Sequence, residues 1–362
     1  MSYTIVDCEM HASIYSFVSA AVLAVPALGA HIEYIDNGRG PVPLYIPADY
    51  DESTALPLVI ALHGYSDPAV DGHFNFSAQV DAKRFLYCVP TGTQNTANAP
   101  FWNATDACCD FFNSNVDDSG YLRELVELIQ SAYAVDAMSI HFTGISNGGF
   151  MTHRMACDHA DLIASVAALA GTTHLDALDC SPSSPVHVLH IHGTSDSTIH
   201  YDGGCIAFDC YPGADETVNR WATYNTCDVI PKVDDSPFNL DWSVPGAETT
   251  STTYEQNCDG GVTVELWRME GSQHVPLFRR NNDPPTENLF GNQALEWLLA
   301  HRKQHNTICP CDTDSNGLVG IEDLIALLGA WGSNESSSDF DLNGTVDVSD
   351  LSTLLDAWGP CP

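Results

Sequence analysis

Residues 139–160 read SIHFTGISNGGFMTHRMACDHA. The run Ser139–Thr143 has the apolar, β-branched character of a strand, and Asn147–Ala160 reads as a helix. Between them stands Gly144-Ile145-Ser146-Asn147-Gly148, the pattern G-x-S-x-G. Small residues recur often, so the pattern alone is weak, and the bland alternative is a Gly/Ser-rich helix start. Its place between a strand and a helix gives it meaning: a sharp, strained turn there lifts a serine hydroxyl above a sheet. Glycine suits such a turn because it tolerates tight packing and unusual dihedrals.

On either side of this segment, apolar runs alternate with helical patterns. The runs are Leu56–Leu62, Phe85–Val89, Ser165–Ala170, Val186–Ile191 and Val262–Trp267. Their continuity suits strands buried on both faces. The helical patterns are Asp117–Tyr133, Asp215–Tyr224 and Glu287–Lys303, and in the first Leu122, Leu125, Leu128 and Ile129 share a face. Residues 31–46 read as a hairpin turning at Asn37-Gly38. Alternation of this kind predicts an α/β fold with a mostly parallel sheet covered by helices, and the strand–turn–helix at Ser146 fits the nucleophile elbow of an α/β-hydrolase.

A serine nucleophile needs a base, and the base needs an orienting carboxylate. In this fold the chain order is serine, acid, histidine. Asp196, in His192-Gly-Thr-Ser-Asp196, follows one strand, and His274, in Gly271-Ser-Gln-His274, follows another. Both sit where open α/β sheets place functional groups. Asp202 is a weaker acid candidate. His190 and His192 read as buried, satisfied histidines, and His153 and His159 as surface or packing residues of the helix after Ser146. The oxyanion donors are expected to be the backbone N–H of Asn147 and that of Tyr65, in the loop Leu62-His63-Gly64-Tyr65. Trp102, with Phe101 and the segment 208–211, is the candidate aromatic surface for a planar acyl group. The alternative is that these aromatics only pack loops.

The chain has 362 residues, so one large and one small domain are expected. Lys and Arg number 12 against 48 Asp and Glu, a net charge of −36. Nucleic acid and anionic membrane are thereby disfavoured as partners. Thirteen cysteines point to disulfides formed in an oxidising compartment. Ser13 to Ala30 is apolar and uncharged, and residues 1–30 are read as a signal peptide cleaved at Ala27-Leu28-Gly29 or Leu28-Gly29-Ala30. No Lys or Arg precedes it between Met1 and His11, and Met10 is an alternative start. No other run approaches the roughly 20 residues of a membrane span. Secretion is the expected localisation.

The segments LPLVIALHGYSD, VDDSGYL, TGISNGGFMTHRMAC, HVLHIHGTSD and GSQH together resemble the secreted esterase family of polyhydroxybutyrate depolymerases, feruloyl esterases and acetylxylan esterases. The resemblance covers residues 31–304 and implies ester hydrolysis, with the family's serine, acid and histidine falling on Ser146, Asp196 and His274. Where the family commonly has Trp-Pro soon after the histidine, this chain has Val275-Pro276-Leu277. Cys227 and Cys258 resemble the family's bridge beside the final strands. Cys205 and Cys210 are a candidate short-loop pair, and Cys108, Cys109 and Cys157 are left without assigned partners. Nine cysteines lie between residues 31 and 300 and three after, so either one bridge crosses between domains or each part keeps a free thiol. Cys88, in an apolar strand, is the expected buried thiol.

Residues 305–310 read as a linker. From Cys309 onward there are ten acidic residues and no basic ones. Asp312-Thr-Asp-Ser-Asn-Gly recurs 27 positions later as Asp339-Phe-Asp-Leu-Asn-Gly, and Leu327-Leu328-Gly-Ala-Trp331-Gly332 recurs at the same offset. The spacing is that of calcium loops. Ligands expected for two Ca2+ are Asp312, Asp314, Asn316, the Leu318 carbonyl and Asp323, then Asp339, Asp341, Asn343, the Thr345 carbonyl, Asp347 and Asp350. Water would stand in at Gly320. An Asx-rich solvated linker is the alternative. Helices are credible only after each loop, at Asp323–Ala330 and Asp350–Ala357, and position 12 is Asp where an EF-hand has Glu. The loop–helix repeat of residues 311–362 resembles a type I dockerin, which implies a cohesin-like partner. Ile321-Glu322 and Val348-Ser349 stand where clostridial dockerins often have Ser-Thr. Cys311 and Cys361 are expected to clasp the two ends, with Cys309 the competitor.

The leading expectation is a secreted serine esterase acting on feruloyl or acetyl esters of plant cell-wall polysaccharide. Its alternative is a polyhydroxybutyrate depolymerase. A serine peptidase, or a calcium-dependent adhesion protein with an inactive hydrolase domain, is less favoured.

Overall fold

A computed structural model describes residues 29–68, 70–303, 309, 311–314, 316–333, 338–341 and 343–361. The expected signal segment falls outside these residues except for Gly29 and Ala30, as does the expected linker except for Cys309. The apolar runs of the sequence become the centre of a ten-stranded sheet. Its strands are β1 (His31–Ile35), β2 (Val42–Ile46), β3 (Leu56–Leu62), β4 (Leu86–Cys88), β5 (Val135–Ile145), β6 (Ser165–Leu169), β7 (His187–Gly193), β8 (Lys232–Phe238), β9 (Thr249–Tyr254) and β10 (Val264–Met269). They lie in the order β1-β2-β4-β3-β5-β6-β7-β10-β9-β8. The six strands from β4 to β10 are parallel, and the pairs at both margins are antiparallel.

The alternation of side chains along a strand separates two cores. In β3, Leu58, Ile60 and Leu62 join one core, while Val59 and Ala61 join the other. The first core is covered by α1 (Asp118–Ala132), α2 (Asn147–Asp158) and α3 (Ala214–Tyr224), through Leu122, Phe150 and Trp221 among others. The second is covered by α4 (Leu289–Ala300), through Phe290, Leu295 and Leu298. Each such side chain contributes about 1.5–3 kcal/mol on leaving water. Helix α1 starts where Asp117 accepts a hydrogen bond from the Gly120 N–H (2.8 Å), a side-chain cap for an otherwise orphan donor. On its buried face Val126 replaces the expected Leu128, which is half-buried. The mostly parallel sheet with helices on both faces is an α/β-hydrolase fold. Among the described residues, no helix is long and apolar enough to cross a membrane.

Residues 309–361 form a separate small core of Cys309, Cys311, Val319, Leu327, Val346 and Leu354. Two nine-residue helices build it, α5 (Ile321–Gly329) and α6 (Val348–Asp356), and the strand Leu318–Val319 pairs with Gly359–Pro360.

Five disulfides join described residues. Cys227–Cys258 and Cys205–Cys210 pair as expected, and Cys157–Cys180 and Cys108–Cys109 supply the pairings left open. One expectation is corrected: Cys361 bonds to Cys309, not to Cys311. The Cys311 side chain is fully buried in the small core, which leaves Cys309 to meet Cys361 beside the short strand pair. Among the described residues the free thiols are Cys88 and Cys311, one in each part of the chain. Burial pushes both upward from the ordinary thiol value.

Candidate active site

Four loops leave the carboxyl ends of β3, β5, β7 and β10 and meet above the sheet. The turn after β5 carries Ser146 at φ 57° and ψ −119°, with its N–H held by the Leu169 carbonyl at 2.8 Å. Such a conformation is strained for a non-glycine residue and persists only where the surroundings enforce it. A Cβ on Gly144 would lie 2.3 Å from the Gly148 carbonyl oxygen, and one on Gly148 would lie 2.1 Å from that of Leu62. The two glycines of G-x-S-x-G thus let α2 start hard against the ends of β3 and β5.

Strands β7 and β10 run side by side, with Gly193 opposite Met269. The acid and histidine loops are tied together there. Thr194 donates its N–H to the Met269 carbonyl (2.9 Å), and Ser195 to that of Ser272 (3.0 Å). Asp196 and His274 are thereby brought together across 78 residues of chain. The Ser146 hydroxyl lies 2.9 Å from His274 Nε2, and His274 Nδ1 lies 2.7 Å from Asp196 Oδ2. Asp196 is buried, whereas Ser146 and His274 are half-buried. Burial alone would raise the Asp196 carboxyl, but hydrogen bonds from His192 and His274 and the Ile199 N–H hold it well below the usual carboxylate range. The carboxylate stays ionised and selects the His274 tautomer with a proton on Nδ1. That leaves Nε2 free to take the Ser146 proton, the arrangement of a serine nucleophile. Asp202, the competing acid, is exposed and outside this group.

The loop after β3 lies against the serine: a Cβ on Gly64 would sit 3.6 Å from that of Ser146. Tyr65 follows, its hydroxyl 2.8 Å from Asn95 Nδ2 and its ring edge-to-face with Phe111. His63, fully buried, fixes this loop. Its Nδ1–H donates to the Gly64 carbonyl (2.7 Å), and Nε2 accepts the Gly92 N–H (2.9 Å). Burial lowers its pKa, which keeps it neutral. Asn147, the other expected oxyanion residue, begins α2 and is fully buried. Its side chain exchanges two hydrogen bonds with the Trp102 backbone, at 2.7 and 2.8 Å. These buried polar clamps escaped the sequence reading, although His63 stands directly after a strand.

Trp102 is corrected. It is fully buried and cannot stack on a ligand. Its Nε1–H donates to the His63 carbonyl (3.1 Å), and its ring packs on that of His63. Phe101 and Tyr211 are also buried, and Phe208 is 96% exposed. Phe111, beside Tyr65, and its neighbour in sequence Phe112 are exposed.

In the C-terminal part, Asp312, Asp314 and Asp323 bring one carboxylate oxygen each within 4.8 Å of one another, and Asp339, Asp341 and Asp350 repeat this. The Asp323 carboxylate accepts the Thr313 and Gly320 N–H groups (2.6 and 2.8 Å), and Asp350 those of Phe340 and Asp347 (2.7 and 2.8 Å). Burial, and the nearby Asp323 and Asp312, raise the Asp314 carboxyl. Asn316 and Asn343 donate to Asp314 and Asp341 (2.9 Å each). Asp347 stands outside the acidic group, its carboxylate capping α6 through the Ser349 N–H (2.8 Å). Leu318 is in the short strand and Thr345 is exposed on the second loop.

No family model matches the chain. It is 31% identical over 182 residues to feruloyl esterase B of Piromyces equi, covering 48% of this chain and 31% of that one. To a probable feruloyl esterase C of Aspergillus niger it is 30% identical over 182 residues, covering 49% of this chain and 62% of that one. Both relatives are named feruloyl esterases. The chain spans less than two thirds of the length of either. Among solved structures, an acetyl xylan esterase from Aspergillus awamori superimposes with a TM-score of 0.49 at 16% identity, over 74% of this chain and 98% of that one.

Proposed function

We propose that the chain is a serine carboxylic-ester hydrolase. The observation that carries this reading is the unbroken line Asp196–His274–Ser146 on a strained turn at the end of a parallel strand. In the proposed reaction the Ser146 oxygen attacks the ester carbonyl carbon while His274 Nε2 takes the hydroxyl proton. Backbone N–H groups of Asn147 and Tyr65 stabilise the oxyanion. Collapse of the intermediate expels the alcohol, which receives the proton from His274, and leaves an acyl-Ser146 that water then hydrolyses. Five disulfides support work in an oxidising, extracellular setting.

The proposed substrate is a feruloyl or acetyl ester of plant cell-wall polysaccharide. The names of the matched relatives support the feruloyl part of it. With Trp102 buried, the candidate aromatic surface is that of Tyr65, next to Gly64 on the β3 loop, with Phe111, and an aromatic acyl group packing there gains about 0.5–1.5 kcal/mol beyond burial. The test is kcat/KM on methyl ferulate, acetylated xylan and a 3-hydroxybutyrate oligomer. Preference for the oligomer overturns the substrate class, and hydrolysis of none of them overturns the reading.

For residues 311–362 the proposal is a dockerin-like module holding two Ca2+ ions. Asp312, Asp314, Asn316 and Asp323 would hold one, and Asp339, Asp341, Asn343 and Asp350 the other. Crowded carboxylate oxygens at matched places in both repeats support this, because hard cations take such ligands. A cohesin-like protein is the proposed partner. Repeat-related apolar residues are exposed in pairs, Leu328 with Leu355 and Trp331 with Trp358.

A further inference from the structure

Next to Asp196, three fully buried histidines form a line inside the first core. Trp221 Nε1 lies 3.0 Å from His153 Nδ1, and His153 Nε2 lies 3.2 Å from His190 Nδ1. His190 Nε2 is 3.2 Å from His192 Nδ1. His192 Nε2 then faces two acceptors, the Ile199 carbonyl at 2.9 Å and Asp196 Oδ2 at 3.4 Å. The side chains come from α3, α2 and β7, so the line joins three elements of the fold.

Chemistry fixes its direction from both ends. An indole N–H can only donate, so His153 Nδ1 must be the acceptor and its proton sits on Nε2. At the other end a carbonyl and a carboxylate can only accept, so His192 Nε2 must carry a proton. His190 then accepts on Nδ1 and donates from Nε2, and all six ring nitrogens are satisfied. A charged ring anywhere in the line would set two N–H donors face to face. Burial agrees, lowering His153 to about 3 and His190 well below its ordinary value.

We infer that His192 is a positioning residue for Asp196, held as a one-way donor by the buried line Trp221–His153–His190. The acid loop is closed from two sides. Asp196 Oδ1 accepts the N–H groups of Thr198 and Ile199 (2.8 and 2.9 Å), while His192 Nε2–H donates to the Ile199 carbonyl (2.9 Å), with Nε2 3.4 Å from Oδ2. These contacts hold the carboxylate in the orientation that meets His274 Nδ1. A His192 proton on Nδ1 would turn a lone pair toward Oδ2 and repel it. The inference deepens the proposed hydrolase reading and rests on it for the role of Asp196.

Two measurements test it. In protein carrying 15N-labelled histidine, nitrogen shifts at neutral pH should report the Nε2–H neutral form for His153, His190 and His192. A proton on His192 Nδ1, or a charged ring in the line, overturns the inference whatever the activity. In ester hydrolysis, His192→Phe removes the donor with a flat ring. It should lower kcat about tenfold or more with KM within about twofold, the loss of a hydrogen bond to a charged acceptor. His192→Gln keeps an N–H near the Nε2 position and should stay within about threefold of wild type. A folded His192→Phe with wild-type kcat overturns the inference, as does a His192→Gln no faster than His192→Phe. If His192→Phe does not fold, the nitrogen shifts decide. Absence of ester hydrolysis in the wild type defeats the hydrolase reading and leaves the shift measurement to judge the line by itself.

Discussion

Replacing Trp102 with alanine tests how the oxyanion loop is supported. The side chain is fully buried between the β3 loop and the start of α2, and its Nε1–H meets the His63 carbonyl at 3.1 Å. Removing a buried tryptophan leaves a large cavity and costs about 3–5 kcal/mol. For a domain of this size each kcal/mol moves Tm by about 2–4 °C, so a drop of about 6–20 °C is expected, toward the low end because the domain is large. The backbone bonds between residue 102 and Asn147 do not need the indole and should survive, which keeps the fold. Trp102→Phe fills most of the space but strands the His63 carbonyl, for about 1–3 kcal/mol. The assay is thermal unfolding by circular dichroism, beside kcat and KM on methyl ferulate. A Trp102→Ala protein melting within about 2 °C of wild type, with a raised KM for the aromatic ester alone, would refute this reasoning and return Trp102 to the substrate.

Other outcomes follow from the same geometry. Gly148→Ala places a methyl 2.1 Å from the Leu62 carbonyl oxygen, so the elbow and the β3 loop must part, with loss of stability and of kcat. Gly64→Ala meets only ordinary contacts at 3.6 Å and should melt near wild type, which a common loss in both variants would contradict. Because the Asp196 carboxyl is depressed in the folded state, its stabilisation is complete above the ordinary value of about 3.9 and is lost as pH falls toward the depressed one. The stability gap between wild type and Asp196→Asn, from urea melts, should therefore shrink below about pH 4. Calcium should raise the helical circular dichroism of residues 305–362 made alone, and identical spectra with calcium and with chelator would sink the metal proposal.

Much of this architecture was legible because burial leaves marks in sequence. Strands β3, β6 and β7 are covered on both faces and read as continuous apolar runs. Strands β8 and β9 were missed: β9 is TTSTTY, polar and β-branched, with half-buried residues between its ends, and only its pairing with β10 reveals it. The serine, acid and histidine were legible because each follows a strand, and strand ends converge in a parallel sheet. Trp102 was misjudged because an aromatic residue on a loop gives no sign of which way it faces. The donor side of Asp196 was invisible for a different reason. His153, His190 and His192 are scattered over 40 residues, and only the register of β7 against α2 and α3 lines up their nitrogens. The cysteine partners depended on packing in the same way, since Cys309 and Cys311 are two residues apart and only burial separates them.

The central claim is that Ser146 is the nucleophile of an ester hydrolase. Its most direct measurement is covalent labelling with a fluorophosphonate, followed by mass spectrometry of the peptides and a parallel assay of ester hydrolysis. The account predicts a single adduct, on Ser146, with hydrolysis falling in proportion to labelling and neither label nor activity in Ser146→Ala. An adduct on another serine that abolishes hydrolysis, or a Ser146→Ala protein that hydrolyses esters at the wild-type rate, would contradict it.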